Sequence, residues 1–144
     1  MKLVRAALLL CCLGVGSCAS DLDVQLADAV SRDDVERVRQ LVSEGADANG
    51  MIHDGWTPFV IAARDGKIGS VQVFLEMRVN PNIPMKGSNT PISWAAYNGH
   101  KDVVVMLLKH EADPCARDDG GMTAKVAAMK YQHLDIAKLL PGCL

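Results

Sequence analysis

TPFVIAARDG (57–66) overlies TPISWAAYNG (90–99) and TAKVAAMKYQ (123–132), so that Thr57, Thr90 and Thr123 recur at intervals of 33 residues. The interval persists outward. VFLEMRVNPN (73–82) overlies MLLKHEADPC (106–115), and RQLVSEGADAN (39–49) falls in the same frame one period earlier. A repeat of this length is a unit that can bury its apolar face only against its neighbours, so the chain is expected to stack. Four units fit between about Val24 and Leu140.

Each unit reads as two short helices and a loop. Thr57 and Thr90 suit a helix N-cap, where the hydroxyl accepts a bond from an early backbone N–H. Pro58 and Pro91 follow at the first helical position, where a missing N–H does no harm. Ala62, Ala63, Ala95 and Ala96 are small enough to let neighbouring first helices approach closely, and Gly66 and Gly99 end those helices. The second helices carry bulkier apolar residues at spacings of three and four: Val38, Leu41 and Val42; Val71, Phe74 and Leu75; Val103, Val104, Leu107 and Leu108; Ile136, Leu139 and Leu140.

These residues at these offsets resemble the ankyrin repeat. TPFV and TPIS stand for its Thr-Pro-Leu-His opening. GADAN (45–49), RVNPN (78–82) and EADPC (111–115) stand for its Gly-Ala-Asp-Val-Asn close, and NGHKDVVVMLL (98–108) is an especially near match. The resemblance covers about 24–140. It implies an all-α solenoid of about four helix-pair units (24–53, 54–86, 87–119 and 120–144) joined by hairpin-like loops. Val60 and Ser93 replace the opening histidine, so a helix-start hydrogen bond usual in the family is expected to be missing. Unit one has no Thr-Pro and unit four has Ala124 for the proline, as terminal units with one neighbour and a wetter outer face would.

The front of the chain is of another kind. Lys2 and Arg5 precede an apolar run, Ala6–Val15, too short for a permanent span, and no further charge occurs before Asp21. Residues 1–17 therefore read as an export signal and 18–23 as a short tether. Val15-Gly16-Ser17-Cys18 resembles a bacterial lipoprotein box, which implies cleavage before Cys18 and acylation of that cysteine. The alternative is ordinary cleavage after Ala19 or Ser20. Several acyl chains hold a protein on a bilayer where one does not. By resemblance to enterobacterial sorting rules, Ala19 after the cysteine favours the outer membrane. The expected location is periplasmic and lipid-anchored, with the membrane touched only through the N-terminal lipid.

Removing the signal takes two of the 15 cationic residues and none of the 17 acids, which moves the net charge from −2 to −4. That balance, with no Lys/Arg cluster, argues against nucleic-acid binding. Cys115 and Cys143 form an even pair in an exported chain and invite a disulfide, two free thiols being the alternative. His53, His100, His110 and His133 show no metal-ligand spacing, and His100 occupies the family's structural Gly-His position. No nucleophile motif, phosphate-cradling loop or catalytic set is found, so no cofactor, metal or enzymatic activity is expected.

A solenoid offers a concave surface of loop tips and exposed first-helix positions. The register assigns to it His53, Asp54 and Trp56; Lys86 and Asn89; Asp119 and Met122; and, on the helices, Arg64, Asp65, Trp94, Tyr97, Asn98, Lys130 and Tyr131. Of the two Trp, two Tyr and two Phe, only Phe59 and Phe74 take core positions. The other four gather on one side. Trp and Tyr are frequent interface anchors, although Trp94 and Tyr131 could instead fill gaps between helices. The expected function is a non-catalytic protein binder in the cell envelope, an immunity or inhibitor protein by family resemblance. A helper of a periplasmic enzyme, such as an oxidative-stress enzyme, and a structural envelope tether are the alternatives. Four units with capped ends suit a monomer.

Overall fold

A computed structural model describes residues 21–143. The expected signal, Cys18 and the first part of the tether lie outside the described residues. Eight α-helices fall into four antiparallel pairs, and no strand occurs among the described residues. The pairs are α1 (Asp21–Ser31) with α2 (Val35–Ser43), α3 (Pro58–Arg64) with α4 (Ile68–Glu76), α5 (Pro91–Asn98) with α6 (Lys101–Lys109), and α7 (Ala124–Lys130) with α8 (Leu134–Leu139). First helices pack on first helices in chain order, α1 on α3 on α5 on α7, and second helices do the same.

Residues 21–23 of the expected tether belong to α1. Two acids in its first turn, Asp21 and Asp23, favour a helix start. Asp23 is also buried, and its carboxylate accepts from the Asp47 backbone N–H at 2.7 Å, which ties the first turn to the loop after α2.

Small residues set the spacing of the stack. Ala62, Ala63, Ala95 and Ala96 are fully enclosed between first helices. Behind them the second helices supply the volume: Leu41, Val71, Phe74, Leu107 and Ile136 are buried, and Phe74 meets Phe59 at 5.1 Å between ring centres. Leu139 departs from the expectation that it is core: it is exposed on α8.

The caps follow the residue types. Thr57 Oγ1 accepts from Val60 N–H at 3.2 Å, and Thr123 Oγ1 accepts from Val126 N–H at 3.4 Å. The expected loss of a helix-start bond at Ser93 does not occur. Ser93 Oγ accepts from the Thr90 backbone N–H at 3.0 Å and donates to the Thr90 carbonyl at 2.8 Å, so the shorter side chain takes over the histidine's place.

The joints between units carry a repeated clasp. Gly66 and Gly99 have φ of +66° and +80° and turn the chain from first to second helix. The His100 ring lies against Gly66 with its Nε2 2.8 Å from the Arg64 carbonyl, and the His133 ring lies against Gly99 with its Nε2 3.1 Å from the Tyr97 carbonyl. A Cβ at Gly99 would stand 2.6 Å from His133. Gly99→Ala therefore strains the left-handed backbone and expels the ring, at a cost of about 1–3 kcal/mol. Urea unfolding followed by circular dichroism should show that loss, while the same substitution at the open Gly142, where a Cβ meets nothing within 4 Å, should be near neutral.

The tail returns to unit three. Cys115 and Cys143 are joined as a disulfide with Cα atoms 5.4 Å apart, and Lys125 Nζ donates to the Leu140 carbonyl at 2.9 Å. The bridge closes a loop over a sequence separation of 28, and such a closure stabilises by about 3 kcal/mol. Cys143→Ser should lower the thermal midpoint by an amount that reductant does not increase further.

Candidate interaction face

Loop tips form the rim of the concave side. Each folds back on itself through a hairpin-like bond: Ile52 N–H to the Trp56 carbonyl (2.7 Å), Met85 N–H to the Asn89 carbonyl (2.9 Å) and Asp118 N–H to the Met122 carbonyl (3.1 Å). Adjacent tips are then linked. Lys86 N–H donates to the Gly55 carbonyl and Asp119 N–H to the Gly87 carbonyl, both at 3.2 Å. The rim is thus one continuous hydrogen-bonded strip, and the side chains it carries have fixed relative positions.

The four polar-tipped aromatics form a row across three units. Ring centres are 5.2 Å apart for Trp56–Trp94, 5.2 Å for Trp94–Tyr97 and 4.0 Å for Tyr97–Tyr131, all tilted. Tilted contacts at these distances contribute about 1 kcal/mol each beyond area burial. Cations cover both ends. The Arg64 guanidinium lies 4.5 Å above the Trp56 ring, and Lys130 Nζ lies 5.6 Å from the Tyr131 ring. Arg64 is also held by two contacts to Asp65, at 2.6 and 2.9 Å. That contact holds the Asp65 carboxyl below the usual carboxylate range and raises Arg64. The Trp94 indole N–H is enclosed without an acceptor among the described residues, so packing against its neighbouring rings fixes that side chain.

Beside the row lies a depression of about 200 Å³ between units three and four, walled in part by Trp94, Tyr97, Asn89, Met122 and Asp118. Ser93, Thr123 and Ala127 complete its lining, and in the Asp118 turn Oδ1 accepts from Gly120 N–H at 2.9 Å and Met122 N–H at 2.8 Å.

The register-derived residues fare unequally. Trp56, Arg64, Asp65, Trp94, Tyr97, Lys130 and Tyr131 come together in one surface strip, and Asn89 and Met122 border it. His53 and Asp54 stand exposed at the first loop tip, and Lys86 at the second, its stem against Gly55. Asp119 is engaged by the Ser88 hydroxyl, and the Asn98 amide bonds the Trp94 carbonyl at 3.0 Å. Both have less freedom to meet a partner than their exposure suggests. Arg64 and Asp65 pair with each other, so they act as a neutral unit rather than as two steering charges. Asp118 was missed. Its signal was the Asp-Asp-Gly-Gly run at 118–121, which calls for a side chain that accepts from the turn's own backbone. His133 was missed as a clasp, although it lies one period after His100.

A model of ankyrin repeats matches residues 26–118 and 80–143. The chain belongs to the ankyrin-repeat family. Among curated proteins it is similar to the putative E3 ubiquitin-protein ligase XBAT34 of Arabidopsis thaliana, at 31% identity over 85% of this chain and 35% of that protein. It is also similar to mouse Rabankyrin-5, at 31% identity over 74% of this chain and 9% of that protein, and to mouse 2-5A-dependent ribonuclease, at 39% over 48% and 10%. The chain spans about a third or less of these relatives. What is shared is the repeat region, and ankyrin repeats are in general non-catalytic modules that bind protein.

The row can be probed directly. Tyr97 titrates above its ordinary value, chiefly through its hydrogen bond with the Tyr131 phenol and secondarily through burial. The bond favours the neutral phenol, so removing it lowers the ionisation pH. Tyr131→Phe leaves Tyr97 as the only tyrosine, and ultraviolet titration should then find it ionising at lower pH than in the native pair.

Proposed function

We propose that the protein is a non-catalytic binder that holds one protein partner on the aromatic row Trp56–Trp94–Tyr97–Tyr131. The observation carrying this reading is the continuity of that row. Four large rings with polar tips run across adjacent units, Trp56 on a loop and Trp94, Tyr97 and Tyr131 on or at the end of first helices, beside a rim whose loops are bonded to one another. Rigid aromatics lose little entropy on binding and commonly act as anchors. The depression beside Trp94 offers room for a partner side chain, and Lys130, Lys86 and Asp54 at the edges influence association rate more than affinity.

We further propose that it works after export, as a lipid-anchored or freely periplasmic protein that blocks or guards its partner. The basic-then-apolar pattern of residues 1–17, followed by Cys18, supports export, and the Cys115–Cys143 bridge suits an oxidising compartment.

The test is affinity capture from the organism's own envelope extract. Replacing Trp56 and Tyr97 together by alanine should weaken capture of the specific client by more than about a hundredfold if both act as anchors of roughly 2 kcal/mol. Circular dichroism should show the double variant still helical, since neither ring is fully buried and Trp56 only rests against the core. Undiminished capture by the folded variant would discard the reading.

A further inference from the structure

Tyr97 and Tyr131 are the two tyrosines of the chain, and the fold brings them together. Their ring centres are 4.0 Å apart with the planes tilted by 47°, closer than the other two contacts of the row. Their hydroxyls share a hydrogen bond. In a phenol the ortho carbons flank the carbon that bears the hydroxyl. Bonded hydroxyls and ring centres this close therefore bring an ortho edge of each ring toward the other.

The joint between units three and four holds the pair in place. Tyr97 lies in the last turn of α5 and Tyr131 caps the end of α7, and these two helices pack on each other. Two residues beyond Tyr131, the His133 ring reaches back to the Tyr97 carbonyl at 3.1 Å. The segment that carries one ring is thus tied to the backbone of the other. The Cys115–Cys143 bridge closes across the same joint. The pair is also reachable from solvent: Tyr131 is 39% exposed, and Tyr97 is half-buried rather than enclosed.

We propose that Tyr97 and Tyr131 form an oxidative modification site, at which a one-electron oxidant couples the two rings into an intrachain dityrosine. Two equivalents of oxidant are consumed. Each accepts one electron from one phenol, whose O–H proton passes to water, and leaves a ring radical with spin density on the ortho carbons. The two radicals pair their electrons in a new bond between ortho carbons. Each joined carbon then gives up its proton and each oxygen regains one, which restores both aromatic rings. The net loss is two hydrogen atoms, as two electrons on the oxidant and two protons in water. The product is a second covalent link across the joint that the disulfide already spans, and it fixes one end of the aromatic row. No partner takes part in this chemistry, so its failure would leave the partner-binding reading untouched.

The experiment is photo-oxidation of the full chain with a ruthenium tris-bipyridyl complex and persulfate, whose photogenerated ruthenium(III) and sulfate radical are one-electron oxidants. Products are read by intact mass, by the blue fluorescence of dityrosine and by peptide mapping. The native chain should lose two hydrogen atoms and keep the mass of one copy. Mapping should find peptides joined at Tyr97 and Tyr131, in a yield that dilution does not change. Concentrated urea, with the disulfide intact, should cut the intrachain yield by about tenfold or more, because the folded joint supplies the effective concentration. Tyr131→Phe should lose the intrachain product altogether, with circular dichroism checking its fold. Dityrosine found only between chains, an intrachain yield that urea leaves unchanged, or oxidation that consumes the tryptophans and leaves both tyrosines intact would each overturn the proposal.

Discussion

Everything in this molecule depends on how closely the first helices approach one another. Alanine at 62, 63, 95, 96 and 128, all buried, lets α3, α5 and α7 approach one another closely. A larger side chain there would open the stack and separate the loops. With the helices at that spacing, the loop tips come within reach, and the bonds Lys86 N–H to Gly55 and Asp119 N–H to Gly87 can form. Side chains on neighbouring rims are then about one ring-width apart. The aromatic row is thus a downstream product of the small residues enclosed between the same helices.

The same geometry explains why charge contributes little to the inner surface. Arg64 lies over Trp56 and is paired with Asp65, and Asp118 and Asp119 are occupied by their own turns and by Ser88. Groups that would otherwise steer a partner over distance are largely spent in ordering the rim. What remains available is apolar ring surface with polar edges, which discriminates by shape.

Much of this was legible in the sequence because threonine, proline, glycine and alanine each have one physical reason to recur at a fixed interval. Cap, first turn, left-handed turn and close approach follow from Thr57, Pro58, Gly66 and Ala62–Ala63, and the convergence of Trp56, Trp94, Tyr97 and Tyr131 follows from register alone. Three features were not legible. The tie of α1 to the loop after α2 is made by the Asp23 carboxylate reaching a backbone N–H 24 residues away. The Ser93 bond to Thr90 depends on a hydroxyl doing work associated with a ring. The exposure of Leu139 is the third, because periodicity states which way a residue faces without stating whether anything packs against it.

The disulfide has a consequence for the order in which the stack comes apart. Each joint is an interface between adjacent units, so loosening proceeds from the ends inward. Cys115–Cys143 bolts the last joint covalently. The first joint has no covalent link among the described residues: the Asp33 carboxylate accepts from the Ser70 backbone N–H and hydroxyl at 2.9 and 2.7 Å, Arg39 pairs with Glu76 at 2.8 Å, and α1 packs on α3 and α2 on α4. Fraying is therefore directed to the amino-terminal unit, and the segment bearing Tyr97 and Tyr131 keeps its geometry longest under heat or force.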